Sequence, residues 1–408
     1  MIKRSPFHPR LVESNETMFW DNWVGYASPT QYQYSTVFEY FSARNAVALF
    51  DSSPLFKYRI KGADATRFLS GVLVRDVAKC PVGRAQYTIW CNDAGFVLED
   101  GVLLHVAEDE YWLTAAEPNL KHFSDLVGRQ QVEISDISEE YGILAVQGPH
   151  SLAVLRQLTK GVAGLRYFGL TETKIAKKPV VVSRTGFTGD LGYEIWVKRD
   201  DALAVWDALR EVGQGYNLTL MGSRALSMAR IEAGLLLIGV DFASARFAWV
   251  DAQRETPQEL GLGWMLKGLA GDKRPFIGRT AIEHAISHNT ARWQTVGLML
   301  DPAVYEEIHN RQGIIAPKAD MLYQDTLYVY SDDYNVNANS EYVGYVTSLL
   351  FSPLLKRHIA IAKIASGVAA AGARVFVEME VLHRSQYFPA QITRLPFYNP
   401  ARKTAVVE

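Results

Sequence analysis

Hydrophobic and polar positions along this chain switch between two periods, and the switches mark its elements. Residues 36–48 space their apolar side chains as an amphipathic helix, ahead of a strand at 48–50. A second strand is predicted at 56–60, and a helix at 64–73 behind the turn Lys61-Gly62-Ala63. Residues 84–91, 96–106 and 110–115 alternate in polarity, as half-buried antiparallel strands do, the last one after the acidic turn Glu108-Asp109. Helix is predicted at 119–128, strand at 141–147 up to Gly148-Pro149, and helix again at 150–158. Strands at 179–183 and 193–198 flank a glycine-rich loop, and helices follow at 201–211 and 223–234. From Thr290 the pattern changes. Short β-like segments at 294–300, 326–330, 342–347, 358–364, 374–381 and 388–395 recur with turns between them, the spacing of an all-β domain. A hinge is expected near 268–274, where small and charged residues replace the apolar run; no internal repeat or low-complexity segment interrupts the chain.

Length and composition narrow the class. At 408 residues the chain is too long for one ordinary core, so two or three domains are expected. Hydrophobic residues at 48% and charged residues at 21% fit a soluble globular protein. A net charge of −2 with no Lys/Arg block argues against nucleic acid as a partner. The N-terminal residues lack an apolar signal-peptide core, and the apolar run at 234–240 is far too short to span a membrane, so a cytoplasmic enzyme is expected. Cys80 and Cys91 make neither a disulfide framework nor a zinc site, and the nine histidines are scattered, so no metal is expected. Gly261-Leu262-Gly263 resembles part of a dinucleotide loop but lacks the third glycine and the preceding strand; no HExxH, Walker or GxSxG pattern occurs.

Two local features carry candidate chemistry. Aromatic residues, 12% of the chain, cluster at Phe19, Trp20, Trp23, Tyr26, Tyr32, Tyr34, Phe38, Tyr40 and Phe41. They read either as staples packing an N-terminal segment or as a pocket wall for a planar or methylated substrate, since aromatic faces attract both rings and onium groups. The second is the run SRTGFTGDLGYE at 183–194. It reads either as a hairpin turn or as a tight loop that lets backbone approach a ligand and aims Glu194 inward.

That run resembles the signature of the aminomethyltransferase (glycine-cleavage T-protein) superfamily, and other segments follow in the family's order. They are Asp51-Ser52-Ser53-Pro54, Val82-Gly83-Arg84-Ala85-Gln86-Tyr87, the hairpin from Cys91 through Glu99-Asp100, Ala145-Val146-Gln147-Gly148-Pro149, Arg230-Ile231-Glu232-Ala233-Gly234, Phe276-Ile277-Gly278-Arg279 and Gly344-Tyr345-Val346-Thr347-Ser348. The resemblance implies an α+β, three-lobed, cloverleaf-like fold around a central folate channel. The first lobe would comprise 1–57 and 139–247, the second 58–138 and 248–287, and a β-barrel-like third 288–408.

The implied cofactor is tetrahydrofolate. Glu194 matches the family's pterin-binding glutamate; Phe187 stands where a tyrosine is usual and would stack on the pterin; Tyr87 joins them as a cofactor contact. Asp100 falls at the catalytic aspartate, expected on a tight turn within 95–101. Arg230 either pairs with Glu232 along its helix or reaches towards folate or Asp100, and Arg402 or Lys403 would meet the glutamate tail. Three activities remain open: aminomethyl transfer from a lipoyl carrier, demethylation of a small methylated donor onto folate N5, and non-catalytic folate binding. Glu99-Asp100-Gly101 in place of the usual Asp-Asp-Leu, with the long aromatic N-terminal arm, points to the demethylase branch. In that branch Tyr26, Tyr32 or Tyr34 would serve as the acid for a departing oxygen.

Overall fold

The computed structural model describes residues 2–318, 322–323, 326–333, 335–337 and 339–406. Three larger sheets organise the chain, and the first is built around a strand that is apolar on both faces. Val47–Asp51 is buried throughout, so it sits inside a six-stranded sheet. The order is Leu170–Ile175, Lys178–Ser183, Gly192–Lys198, Tyr141–Gln147, Val47–Asp51, Leu218–Leu220, with only the last pair parallel. Helices Ser151–Leu158 and Ala202–Gly213 bury Leu155, Trp206 and Leu209 in the same core as Val146, Val182 and Ile195.

A five-stranded antiparallel sheet follows, ordered Arg84–Cys91, Val97–Ala107, Glu110–Ala115, Phe56–Lys61, Glu133–Asp136. The chain ends in a closed six-stranded barrel of Trp293–Leu300, Arg357–Ala365, Tyr342–Ser352, Leu327–Tyr330, Arg374–Val381 and Arg384–Thr393. Closure leaves that sheet no free edge. The fold is therefore α+β with a C-terminal β-barrel, as expected. Among the described residues no helix is long and apolar enough to cross a membrane.

Several local expectations need correction. The helix expected at 36–48 is Thr36–Asn45, started by the Ser35 hydroxyl accepting from Phe38 N at 3.2 Å; the apolar residues after it belong to the strand. The aromatic N-terminal arm holds an unforeseen two-stranded hairpin, Phe19–Trp23 with Tyr26–Gln31. Helix Pro302–Arg311 was not foreseen, although Asp301-Pro302 signals it: the Asp301 side chain caps Ala303 N and Val304 N. The segment expected as a hinge is clamped: Arg274 donates to the carbonyls of Leu73 at 2.9 Å and Val74 at 2.6 Å. Asp100 sits not on a turn but mid-strand, opposite Ile89 within the continuous Val97–Ala107; the chain reverses earlier, where Gly95 N donates to Asn92 O.

Candidate active site

A cavity of about 1290 Å³ opens between the three sheets. That exceeds the roughly 300–1,000 Å³ of an ordinary small-molecule pocket, so it has room for a large ligand and a donor group together. Its walls include Asp100 and Tyr87 from the five-stranded sheet, Glu194, Phe187 and Phe50 from the six-stranded sheet and its loop, Arg230 and Leu226 from helix Ser223–Glu232, Trp23 from the hairpin, and Val296 and Ile392 from the barrel.

Strand alternation separates the adjoining acids Glu99 and Asp100. Glu99 points into the sheet's core, where it accepts from Asn119 Nδ2 and from the backbone N–H groups of Ala116 and Glu117; burial raises its pKa to about 8. Asp100 lines the cavity and accepts from the Tyr87 hydroxyl at 2.8 Å. Desolvation raises its pKa to about 6 against the lowering effect of that hydrogen bond. Tyr87 lies 6.4 Å from the Trp264 ring in a stacked arrangement, and the Arg75 guanidinium covers the other member of that pair at 5.4 Å. Arg75 and Trp264 also line the cavity, and the sequence reading passed over both.

Across the cavity, Glu194 rides on strand Gly192–Lys198, opposite Ser183 in the register. Thr185 donates its hydroxyl to one carboxylate oxygen, and Ser183 Oγ lies 2.7 Å from Thr185 Oγ1. No ion pair involves Glu194 among the described residues, and burial raises its pKa. The glycines of this loop are explained by one side chain. Gln147 Nε2 donates to the carbonyls of Thr185 at 3.2 Å and Tyr193 at 3.3 Å, while Gln147 Oε1 accepts from Thr188 at 2.9 Å. A Cβ at Gly186 or Gly192 would lie 2.1 or 2.2 Å from that same Oε1. The Gln147-Gly148-Pro149 segment and the glycine loop are therefore two halves of one lock. Gly192→Ala is expected to lower stability by about 1–3 kcal/mol through overpacking and to displace Glu194, read as a fall in thermal midpoint together with weaker ligand binding.

Arg230 pairs with Asp241, not Glu232, and donates to Ser348 Oγ at 2.9 Å and Leu235 O at 3.2 Å. Its Nε is buried without a hydrogen-bond partner. Neither sequence account of Arg230 foresaw this: it is neutralised from behind while it contributes to the cavity wall. Glu232 instead meets Arg44 at 2.7 Å and accepts from Tyr40 at 2.6 Å and Ser352 at 2.5 Å.

Arg402 is not in the wall. Asp190 holds it at 2.6 and 2.8 Å, while the neighbouring Lys403 does line the cavity, its pKa lowered by desolvation and its ammonium 5.9 Å from the Tyr167 ring. Tyr26 and Tyr32 are also outside the wall. Tyr26 lies at the hairpin's end under the Lys3 ammonium, and Tyr32 is sealed in the core with Val47 and Leu49. Burial raises both phenols, so neither is placed or poised to protonate a leaving group in the cavity. Tyr34 is 84% exposed. Among the described residues no cluster of three or more His, Cys, Asp or Glu could hold a metal ion.

Three larger sheets, the last a closed barrel, enclose a cavity with hydroxyl-held carboxylates, the arrangement of a site for a ligand with N–H donors. Comparison with known proteins makes that specific. Residues 7–268 match the GCVT N-terminal domain, and residues 321–399 match the glycine cleavage T-protein C-terminal barrel domain. The aminomethyltransferase of Caldanaerobacter subterraneus subsp. tengcongensis is 31% identical over 403 residues, spanning 97% of this chain and 96% of that one. That of Geobacillus kaustophilus is 31% identical over 408 residues, spanning 98% and 100%. The crystal structure of glycine cleavage system aminomethyltransferase T from Bartonella henselae superposes with a TM-score of 0.80 at 22% identity, covering 98% of this chain and 99% of that one, and so shares the fold. The chain belongs to the aminomethyltransferase (glycine-cleavage T-protein) family and is a one-carbon group transferase.

Proposed function

We propose that this enzyme transfers an aminomethyl group, presented by a lipoyl carrier protein, to tetrahydrofolate in the central cavity. The observation that carries the reading is the pair Asp100 and Glu194: two carboxylates that line one cavity from different sheets, each engaged by a neutral hydroxyl and, among the described residues, neither by a cation. The name shared by near-full-length relatives supports the choice of donor.

The residues present fit a reduced folate. Glu194 can accept the adjacent N–H donors of a pterin edge, a charge-assisted paired bond. Phe187 offers an apolar face to the ring, and Lys403, with no ion pair among the described residues, suits the carboxylate tail. When bound, tetrahydrofolate supplies the N5 nitrogen that accepts the one-carbon unit. Asp100, ionised above pH about 6, stabilises positive charge at the reacting centre and can take a proton from it. Tyr87 orients that carboxylate through its 2.8 Å bond.

The demethylase reading drew on Glu99-Asp100-Gly101 and on the long aromatic N-terminal arm, with Tyr26, Tyr32 or Tyr34 as the acid. Packing accounts for Gly101, since a Cβ there would lie 2.1 Å from the Thr114 carbonyl oxygen of the next strand. The tyrosines offered as acids lie outside the cavity. Neither Gly101 nor a tyrosine of the arm then favours a methyl-ether donor over an aminomethyl one. The folate site is tested by titrating tetrahydrofolate into wild type and Glu194→Gln. About 10- to 150-fold weaker binding is expected in the variant, and unchanged affinity removes Glu194 from the site.

A further inference from the structure

The N-terminal hairpin brings to the cavity a group of residues that the folate reading does not use. Asp21 and Trp23 are two apart on strand Phe19–Trp23 and so share a face, and Ser28 is paired directly opposite Asp21. All three line the cavity. The Trp23 ring is fixed by Phe50, 5.8 Å away and tilted at 50°, so one side of an indole is held as a wall. Helix Ser223–Glu232 adds Ser223, Leu226 and Ser227 to the lining of the same cavity, spaced three and four apart on one face.

Asp21 is exposed where it lines this corner. Asp21 accepts only from the backbone N–H of Asn22, at 2.7 Å, and forms no ion pair among the described residues. Neither neighbouring cation pairs with Asp21 among the described residues. Arg224, adjoining Ser223, donates to Gln31 Oε1 at 2.9 Å and covers the Phe19 ring at 5.2 Å. Arg230, one turn along the helix, is neutralised by Asp241. A carboxylate without a counter-ion, an indole face and small hydroxyls together make a site for a compact organic cation, because the ring quadrupole and the carboxylate attract the same charge.

We propose that the Asp21–Trp23 corner, on the N-terminal hairpin, binds the cationic group of the one-carbon donor, a small ammonium or onium ion. The assignment of that cation to the donor rests on the transferase reading; binding of the cation itself does not. Aminomethyl groups carry a protonated amine, and methylated oniums carry the same charge on a larger apolar surface. The geometry therefore identifies the shared chemistry, and the test distinguishes its sources.

The experiment is calorimetric titration of the full chain with choline, with ethanolamine, and with 3,3-dimethylbutan-1-ol, which has the shape of choline without its charge. At least one cation is expected to bind more tightly than the neutral alcohol, by roughly 2- to 30-fold. Preference for choline marks an onium site, and preference for ethanolamine a primary-ammonium site. Asp21→Asn and Trp23→Leu should each weaken the cation by a similar factor while leaving tetrahydrofolate affinity within about twofold; Tyr34→Ser, an exposed neighbour outside the wall, should change nothing. Equal binding of cation and alcohol, no binding of either cation, or affinity unchanged in both variants would overturn the proposal. Tetrahydrofolate titrated into wild type reads the transferase proposal separately, since its failure to bind would remove that reading without touching the cation result.

Discussion

Asp100→Asn is expected to lower the rate of one-carbon transfer by about 10²- to 10⁴-fold, the range for loss of a positioned acid–base or charge-stabilising group. The substitution keeps the shape of the side chain and an oxygen that can accept from Tyr87, so the effect reports the charge rather than the fold. In wild type the same charge sets the pH dependence. Transfer should fall on the acid side as Asp100 takes up its proton near pH 6, and that limb should be missing from the residual activity of the variant. Stability should move the opposite way. The folded pKa of about 6 lies above the ordinary aspartate value of about 3.9, so the native state holds this proton more tightly than the unfolded chain. That contribution is fully present below about pH 4 and is lost as pH rises through about 6. Ionised Asp100 consequently costs stability at neutral pH, of order 2–3 kcal/mol from a two-unit shift. Glu99, with a pKa of about 8, adds a cost of the same sign that grows from about pH 4 to about pH 8. The asparagine variant should therefore unfold at higher denaturant than wild type at pH 7.5 and lose that advantage by pH 4. Paired chemical denaturation series at the two pH values check both the sign and the window.

The second large effect lies at the junction of the sheets. Glu232→Ala is expected to destabilise the protein by about 3–5 kcal/mol, because it leaves a buried guanidinium without its principal counter-charge. Arg44 and Glu232 are both buried, and Arg44 also donates to the carbonyls of Thr188 at 2.8 Å and Ala229 at 3.0 Å. Through Thr188 the pair braces the glycine loop that carries Glu194, and through Ser352 it reaches the barrel. Asp190, 3.7 Å from Arg44, is the only other acid paired with that guanidinium among the described residues. A fall in denaturant midpoint should accompany weaker folate binding. Near-wild-type stability in the alanine variant would show that Asp190 and the carbonyls suffice.

Much of this site could be read from order rather than from local pattern. Glu194, Phe187, Asp100 and Tyr87 each sit in a short motif, and the motifs follow one another as in a known family; the structure brings all four to one cavity. Periodicity placed Asp100 within the strand at 96–106, and it was the hairpin reading of 95–101 that put it on a turn, although residues 92–96 hold the turn signals and the strand resumes at once. Arg230 and Glu232 are neighbours on a helix, so pairing between them was the local guess, yet each finds a distant partner. Arg230 meets Asp241 after a change of direction, and Glu232 meets Arg44, 188 residues earlier. No periodicity encodes contacts made by tertiary packing. The aromatic cluster misled for a related reason. Its members split between a cavity wall (Trp23), two cores (Tyr40, Tyr32) and solvent (Tyr34), and which goes where depends on a hairpin that the aromatic composition concealed. The cavity-lining Arg75 and Trp264 carried no signal at all outside the assembled fold.

The most direct measurement is the product itself: incubate the enzyme with tetrahydrofolate and an aminomethyl-lipoyl carrier protein, and follow the folate by mass spectrometry. Formation of 5,10-methylenetetrahydrofolate with release of ammonia, lost in Asp100→Asn, is the predicted result. Absence of that product, with 5-methyltetrahydrofolate appearing instead from a methylated small molecule, would contradict aminomethyl transfer and return the enzyme to the demethylases.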